Sequence, residues 1–147
     1  MTIYFDMDGT IANLYAVESW LTKLRAYDPT PYLEATPLLR LSPLARRLNN
    51  LQRKGHHIGI VSWLSKDPDP AYGAKVTAAK YAWLAKHLPS VNFDTIRIVP
   101  YGTPKSTLVN EIGILFDDEE QNRKEWEAAG GVAYNVNNIL EVLKGLE

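Results

Sequence analysis

Asp6 and Asp8 flank a single residue, Met7, and are followed directly by Gly9 and Thr10. Two carboxylates this close repel each other unless something positive joins them. A hard cation with oxygen ligands meets that need, and Mg²⁺ suits one or two carboxylates completed by a substrate phosphate. Asp117, with Asp118 beside it, is a further carboxylate of the right type. Gly9 permits a tight turn and close approach of the backbone. The same residues also read as an ordinary turn or helix cap, and the short run alone does not decide between the two.

What decides is where the surrounding elements put them. Ile3 to Phe5 is a short, apolar, β-prone run and predicts a buried strand ending at Asp6. Ile58 to Val61 predicts a second strand, ending at Ser62-Trp63. Thr95 to Val99, Ile112 to Phe116 and Val132 to Tyr134 predict three more, the fourth ending at Asp117-Asp118. Between them lie helical patterns. Residues 13–27 carry Leu14, Val17, Trp20, Leu21 and Leu24 at helical spacing, and Asp28-Pro29-Thr30-Pro31 breaks that helix. Residues 31–41 are less regular. Ser42-Pro43 predicts a helix start, with a capping hydroxyl and proline at the first helical position. Leu44, Leu48 and Leu51 give that helix its apolar face, and Gly55 ends it. Further helices are expected over about 72–87, from Pro104-Lys105, through Trp126 to Gly130, and over 138–146.

Strands alternating with helices imply a parallel sheet covered on both faces. Ligands of such sheets bind beyond the carboxyl ends of the strands. Asp6, Ser62 and Asp117 each follow a strand, so all three are expected on one edge of one sheet.

Composition is compatible with this reading. The chain has 147 residues, the size of one domain, and 46 % of them are apolar. Its 17 acidic and 16 basic residues leave a net charge of −1, which demands neither nucleic acid nor an anionic membrane. There are no cysteines, so disulfides and thiolate–metal sites are excluded. No stretch approaches the roughly 20 apolar residues of a membrane span, and no leader-like segment opens the chain. A cytoplasmic protein with no membrane partner is the expectation. His56, His57 and His87 share no ligand spacing with the other candidates and read as structural or surface residues.

Asp6-Met7-Asp8-Gly9-Thr10 resembles the first motif of the haloacid dehalogenase-like phosphohydrolases, Asp-x-Asp-x-Thr after an apolar strand. Three further features resemble that family's motifs in the expected order. They are Ser62 closing the second strand, Lys105 at a helix start, and the acidic pair Asp117-Asp118 after the fourth strand. The resemblance spans essentially the whole chain. It implies an α/β, Rossmann-like three-layer sandwich with a five-stranded parallel sheet in the order 3-2-1-4-5. It also implies a Mg²⁺-dependent phosphomonoester hydrolase acting through an aspartyl-phosphate. Asp6 would be the nucleophile and Asp8 the general acid and base. Lys105 would supply a fixed positive charge to the phosphate and to Asp6. Asp8, Gly9, Thr10, Ser62, Trp63 and Lys105 would contact the phosphate. Asp6, Asp8, Asp117 and Asp118 would hold Mg²⁺, with Asp117 favoured over Asp118 as the direct ligand. Lys66, Lys75 and Lys80 are rivals to Lys105, which is preferred because it precedes the fourth-motif strand.

Phosphatases of this family take selectivity from inserted caps. Residues 42–54 must serve as a crossover helix, so a cap here is minimal and confined to about 13–41 of a single 1–147 domain. The run Lys80-Tyr81-Ala82-Trp83-Leu84-Ala85-Lys86-His87 is similar to a pattern in the 5′(3′)-deoxyribonucleotidase branch. The cap region departs from that branch. The expected substrate is a nucleotide or other small phosphorylated metabolite. A base would have Tyr15, Trp20, Trp63, Tyr72 or Tyr101 to stack on, although Trp20 reads rather as a core residue and Trp63 as either. Trp83 and Trp126 read as core. The alternatives are a phosphatase on polynucleotide ends, or a domain that binds a ligand or partner without turnover.

Overall fold

The computed structural model describes residues 1–147. Its strands and helices alternate: β1 (Thr2–Phe5), β2 (Ala12–Asn13), α1 (Trp20–Arg25), α2 (Thr30–Glu34), β3 (Thr36–Pro37), α3 (Leu41–Arg53), β4 (His57–Trp63), α4 (Pro70–His87), β5 (Thr95–Val99), β6 (Ile114–Phe116), α5 (Glu120–Ala128), β7 (Val132–Tyr134) and α6 (Ile139–Leu146). Five strands form one sheet in the order β5-β4-β1-β6-β7, every neighbouring pair parallel. Counted among the sheet's own strands in chain order, that is 3-2-1-4-5. The α/β, Rossmann-like class expected from the sequence is the one observed.

Side-chain alternation along the strands divides the core into two layers. Ile3 and Phe5 of β1, Ile58 and Ile60 of β4, and Ile114 and Phe116 of β6 point to one face. There they meet Leu44, Leu48 and Leu51 of α3, Trp83 and Leu84 of α4, and Ile139 and Leu143 of α6. Tyr4, Val61 and Leu115 point to the other face and pack on Trp126 of α5. Both Trp83 and Trp126 are core residues, 1 % exposed. No helix is long and apolar enough to cross a membrane.

Two local expectations are corrected. The helix before β4 begins at Leu41, because the Leu44 amide already donates to the Arg40 carbonyl. Arg40 is therefore the cap position. Ser42 makes no capping bond, and Pro43 lies inside the first turn, where a missing N–H costs nothing. The end of that helix is as expected. Gly55, at φ +94°, donates to Gln52 and is followed by His56 donating to Leu51, the paired bonds of a glycine-terminated helix.

The second correction concerns residues 13–27, which do not form one helix. Asn13 pairs with Thr36 in the antiparallel β2–β3 ribbon, Leu14–Ala16 is a single 3₁₀ turn, and Ser19 at φ +57° separates it from the six-residue α1. The apolar spacing is real, but tertiary packing divides it: Leu14 joins Tyr32, Tyr72 and Val76 in a small cluster of its own. The stretch read as irregular holds α2 and β3. The ribbon makes the chain leave and return at one point. Helix α4 then fastens the excursion, as the Tyr72 hydroxyl donates to the Asp28 carbonyl (3.0 Å) and the Trp83 indole to that of Ala35 (2.7 Å).

Candidate active site

The site begins where β1 ends. The Asp6 amide still belongs to the sheet, donating to the Phe116 carbonyl at 2.9 Å. Beyond it the chain folds tightly round one oxygen: the amides of Thr10, Ile11 and Ala12 all point at the Met7 carbonyl, at 3.0–3.1 Å. Met7 itself is 1 % exposed and anchored in the core. The turn thus has a fixed pivot, and Asp6 and Asp8 on either side of it both line a cavity of about 720 Å³.

Gly9 closes the turn at φ +79°. A Cβ there would lie 2.3 Å from Asp118 Oδ2 and 2.9 Å from the Tyr15 ring. Both backbone conformation and space therefore require glycine. Gly9→Ala is expected to lower stability by ~1–3 kcal/mol and to displace the Asp118 carboxylate. Chemical denaturation checks this; a variant of unchanged midpoint and slope would show that the turn yields freely.

Two lysines organise the carboxylates. Lys105 opens a 3₁₀ turn, Lys105–Leu108, and is only 3 % exposed. Its ammonium lies 2.9 Å from Asp6 Oδ1 and 2.6 Å from Asp117 Oδ2. Burial pulls its pKa down, but the charges of Asp6 and Asp117 outweigh that and hold it above the ordinary lysine value. The second lysine, Lys80 on α4, is 1 % exposed. It donates to Asp8 Oδ2 (2.9 Å), to the Ser62 hydroxyl (2.7 Å) and to the Trp63 carbonyl (2.6 Å). The sequence offers Lys80 as a rival to Lys105 and as the first residue of the nucleotidase-like run; the structure employs both lysines, on different carboxylates.

The acidic pair divides its work. Asp117 is fully buried, and its oxygens are taken up internally. Oδ1 accepts from the Glu119 amide, and Oδ2 from Lys105 and from Asn122. Asp118 lines the cavity and lies within 4.0 Å of no cation. The Thr10 hydroxyl lies 3.4 Å from Asp118 Oδ1 and also donates to Asp6 Oδ2 at 3.1 Å, so it sits between the two carboxylates. Burial, and then the charge of Asp6, push Asp118 up to about 8. The same two causes push Asp117 up to about 6, against the pull of Lys105. Burial also raises Asp8, in spite of Lys80. Asp6, Asp117 and Asp118 each offer an oxygen within 4.8 Å of the others. An all-oxygen set of this kind, with one uncompensated member, fits a hard divalent cation.

The residues expected to contact a phosphate divide between cavity wall and interior. Asp8, Trp63 and Lys105 line the cavity; Gly9, Thr10 and Ser62 do not. The Gly9 amide is spent on the Ala12 carbonyl and that of Thr10 on Met7, while Ser62 is fully buried against Lys80. Of the aromatic candidates, Tyr15, Trp20, Trp63 and Tyr101 line the cavity. Tyr72 is core, 1 % exposed.

A D,D-heptose 1,7-bisphosphate phosphatase from B. bronchiseptica, crystallised with magnesium and phosphate, superposes with a TM-score of 0.63. The match covers 99 % of this chain and 97 % of that one at 13 % identity. The chain shares that fold. The corresponding enzyme from Burkholderia thailandensis matches over 99 % and 97 % of the two chains (TM-score 0.59, 11 % identity). A chain of the Pnkp1/Rnl/Hen1 complex matches 92 % of this chain but only 44 % of its own length (TM-score 0.59, 17 % identity). No protein-family model matches the sequence, and no curated protein does.

Proposed function

We propose that this chain is a phosphomonoester hydrolase of the haloacid dehalogenase-like type, acting through an aspartyl-phosphate on Asp6. The observation that carries the reading is the placement of Asp6. It is a nearly buried carboxylate at a strand end, held by Lys105 and Thr10, and faces a cavity with Asp8 beside it. The ordered motifs in the sequence and the shared fold support it.

In the first half-reaction an Asp6 carboxylate oxygen attacks phosphorus, and the ester oxygen leaves with the proton of Asp8. The upward shift of Asp8 favours the protonated form that this step needs. In the second, Asp8 takes a proton from the water that attacks the phosphoryl group, and Asp6 and inorganic phosphate are released. Lys80 holds Asp8 in position throughout, and Lys105 holds Asp6. Ser62 acts from behind, orienting Lys80. Asp6 and Asp118 would hold Mg²⁺ directly, with Asp117 supporting them through Lys105 and Asn122. When bound, the ion offsets negative charge between nucleophile and phosphate. The short excursion of residues 13–41, read as the cap, would form one wall of the cavity. Its aromatic lining favours a nucleotide among small phosphorylated metabolites.

The test is release of p-nitrophenol from its phosphate ester with Mg²⁺ and with a chelator. Release that is absent, or the same in both, sinks the reading. The raised carboxyls add a pH signature. A carboxyl whose folded-state value is raised contributes stability that is fully present below its ordinary value and lost as pH climbs through the raised one. Without a divalent cation, stability should therefore fall from about pH 4 to about pH 8, the Asp118 value. Cation binding displaces those protons and removes the repulsion. The rise in Tm caused by millimolar Mg²⁺ should thus be larger at pH ~8 than at pH ~5.5. Equal shifts at the two pH values would count against these carboxylates as ligands.

A further inference from the structure

A phosphate group alone would leave most of the 720 Å³ cavity unfilled. The remainder falls in the size range of sites that hold an organic ligand of tens of atoms, and its walls are specific. On the Lys105 side stands Trp63, its ring 5.4 Å from the Lys105 ammonium and its indole N–H fixed to the Thr103 carbonyl at 2.8 Å. Tyr101 packs against it, ring centroids 4.8 Å apart, and is 47 % exposed. On the Asp118 side stands Tyr15, paired edge-on with Trp20 at 5.0 Å and 49 % exposed. Exposed aromatic rings whose orientation is fixed are platforms for a flat ring system.

The rim adds charge. Arg25, at the end of α1, and Lys66, in the loop after β4, both line the cavity, and both are exposed. Neither lies within 4.0 Å of a carboxylate. The Lys66 ammonium rests 5.4 Å from the Tyr101 ring, so one cation sits on the aromatic platform itself. Its neighbour Asp67 also lines the cavity, but one of its carboxylate oxygens is taken up by the Asp69 amide at 3.0 Å. Two rim cations without partners are not needed by the phosphate that reacts, which already has Lys105.

We infer that the leaving group is a nucleoside bearing a second phosphate, its base on the Trp63–Tyr101 platform and that second phosphate at Arg25 and Lys66. This rests on the hydrolase reading and adds to it a requirement on the rest of the substrate. The shared chemistry has two sources: a free nucleoside bisphosphate, or the phosphorylated end of an oligonucleotide, whose next phosphodiester would take the rim.

The experiment has two arms. In the first, phosphate release with Mg²⁺ is compared for an alkyl phosphate, a nucleoside monophosphate, a nucleoside 3′,5′-bisphosphate, and short oligonucleotides phosphorylated at the 3′ or 5′ end. kcat/KM should rise along the series, about tenfold for the second phosphate. That gain should be lost in Arg25→Ala/Lys66→Ala, while Lys124→Ala, on an exposed face of α5, keeps it. Oligonucleotides exceeding the bisphosphate, with a steeper salt dependence, would identify a polynucleotide end as the source; parity would identify the free nucleotide. In the second arm, calorimetry follows binding of the same nucleotides to Asp6→Asn with Mg²⁺, where no turnover intervenes. The bisphosphate should bind about tenfold tighter than the monophosphate, and Trp63→Leu in that background should weaken both about tenfold. Monophosphate and bisphosphate binding alike, or the rim variant weakening every ligand equally, overturns the inference even if hydrolysis is robust. No release from any ester, with selective binding retained, overturns the hydrolase reading alone.

Discussion

Asp6→Asn should abolish turnover of any phosphate ester this chain hydrolyses, lowering kcat at least ~10⁴-fold. The amide is nearly isosteric and keeps the bond from Thr10, but it is a poor nucleophile and removes one negative charge from a crowded site. Folding should be retained, because two effects oppose each other: the charge that raises Asp8, Asp117 and Asp118 is removed, while Lys105 loses one of its two carboxylate partners and keeps Asp117. Lost turnover with retained folding separates a catalytic role from a structural one. Steady-state rates and thermal unfolding, measured on the same preparation, check them together. A variant with kcat within tenfold of the parent would remove Asp6 from the role of nucleophile.

Lys105→Met should have the largest effect on stability. The lysine is buried and bridges Asp6 to Asp117, so removing it leaves two buried carboxylates without their cation. Breaking a buried pair on one side costs ~3–5 kcal/mol. The loss should depend on pH. Lys105 pulls the Asp117 carboxyl down, and without it Asp117 rises further than about 6. Protonated carboxyls tolerate burial, so the variant should lie closest to the parent in mild acid and furthest from it above neutrality. Urea unfolding at both ends of that range measures it. A loss that is constant with pH would mean that packing of the alkyl stem, rather than charge, is what Lys105 contributes.

The strands were legible because each is a short apolar, β-prone run, and the central ones, β1, β4 and β6, are the largely buried strands that such runs form in a parallel sheet. Strand-end placement then located Asp6, Ser62 and the acidic pair correctly at one edge. Legibility ended where local sequence stops dictating geometry. A two-residue ribbon such as Ala12–Asn13 with Thr36–Pro37 has no periodicity to read, and α1 and α2 are too short to show a full apolar stripe. Side-chain direction beyond a strand end is equally local: the sequence favours Asp117 as the direct metal ligand, and of the pair it is Asp118 that lines the cavity. Lys80 did leave a signal. Tyr72, Val76, Lys80 and Leu84 recur every four residues on α4, and all four are buried. A lysine inside an apolar stripe must find a carboxylate or fold at great cost.

The fastening of residues 13–37 also bears on the rhythm of any reaction in the cavity. The excursion is gripped by the β2–β3 ribbon at its base and by Tyr72 and Trp83 of α4 further along. The ties hold the base of the wall, whereas residues 15–27 between them bury no side chain. Any closing movement over the cavity would therefore be confined to that tip, with the tied base as its hinge.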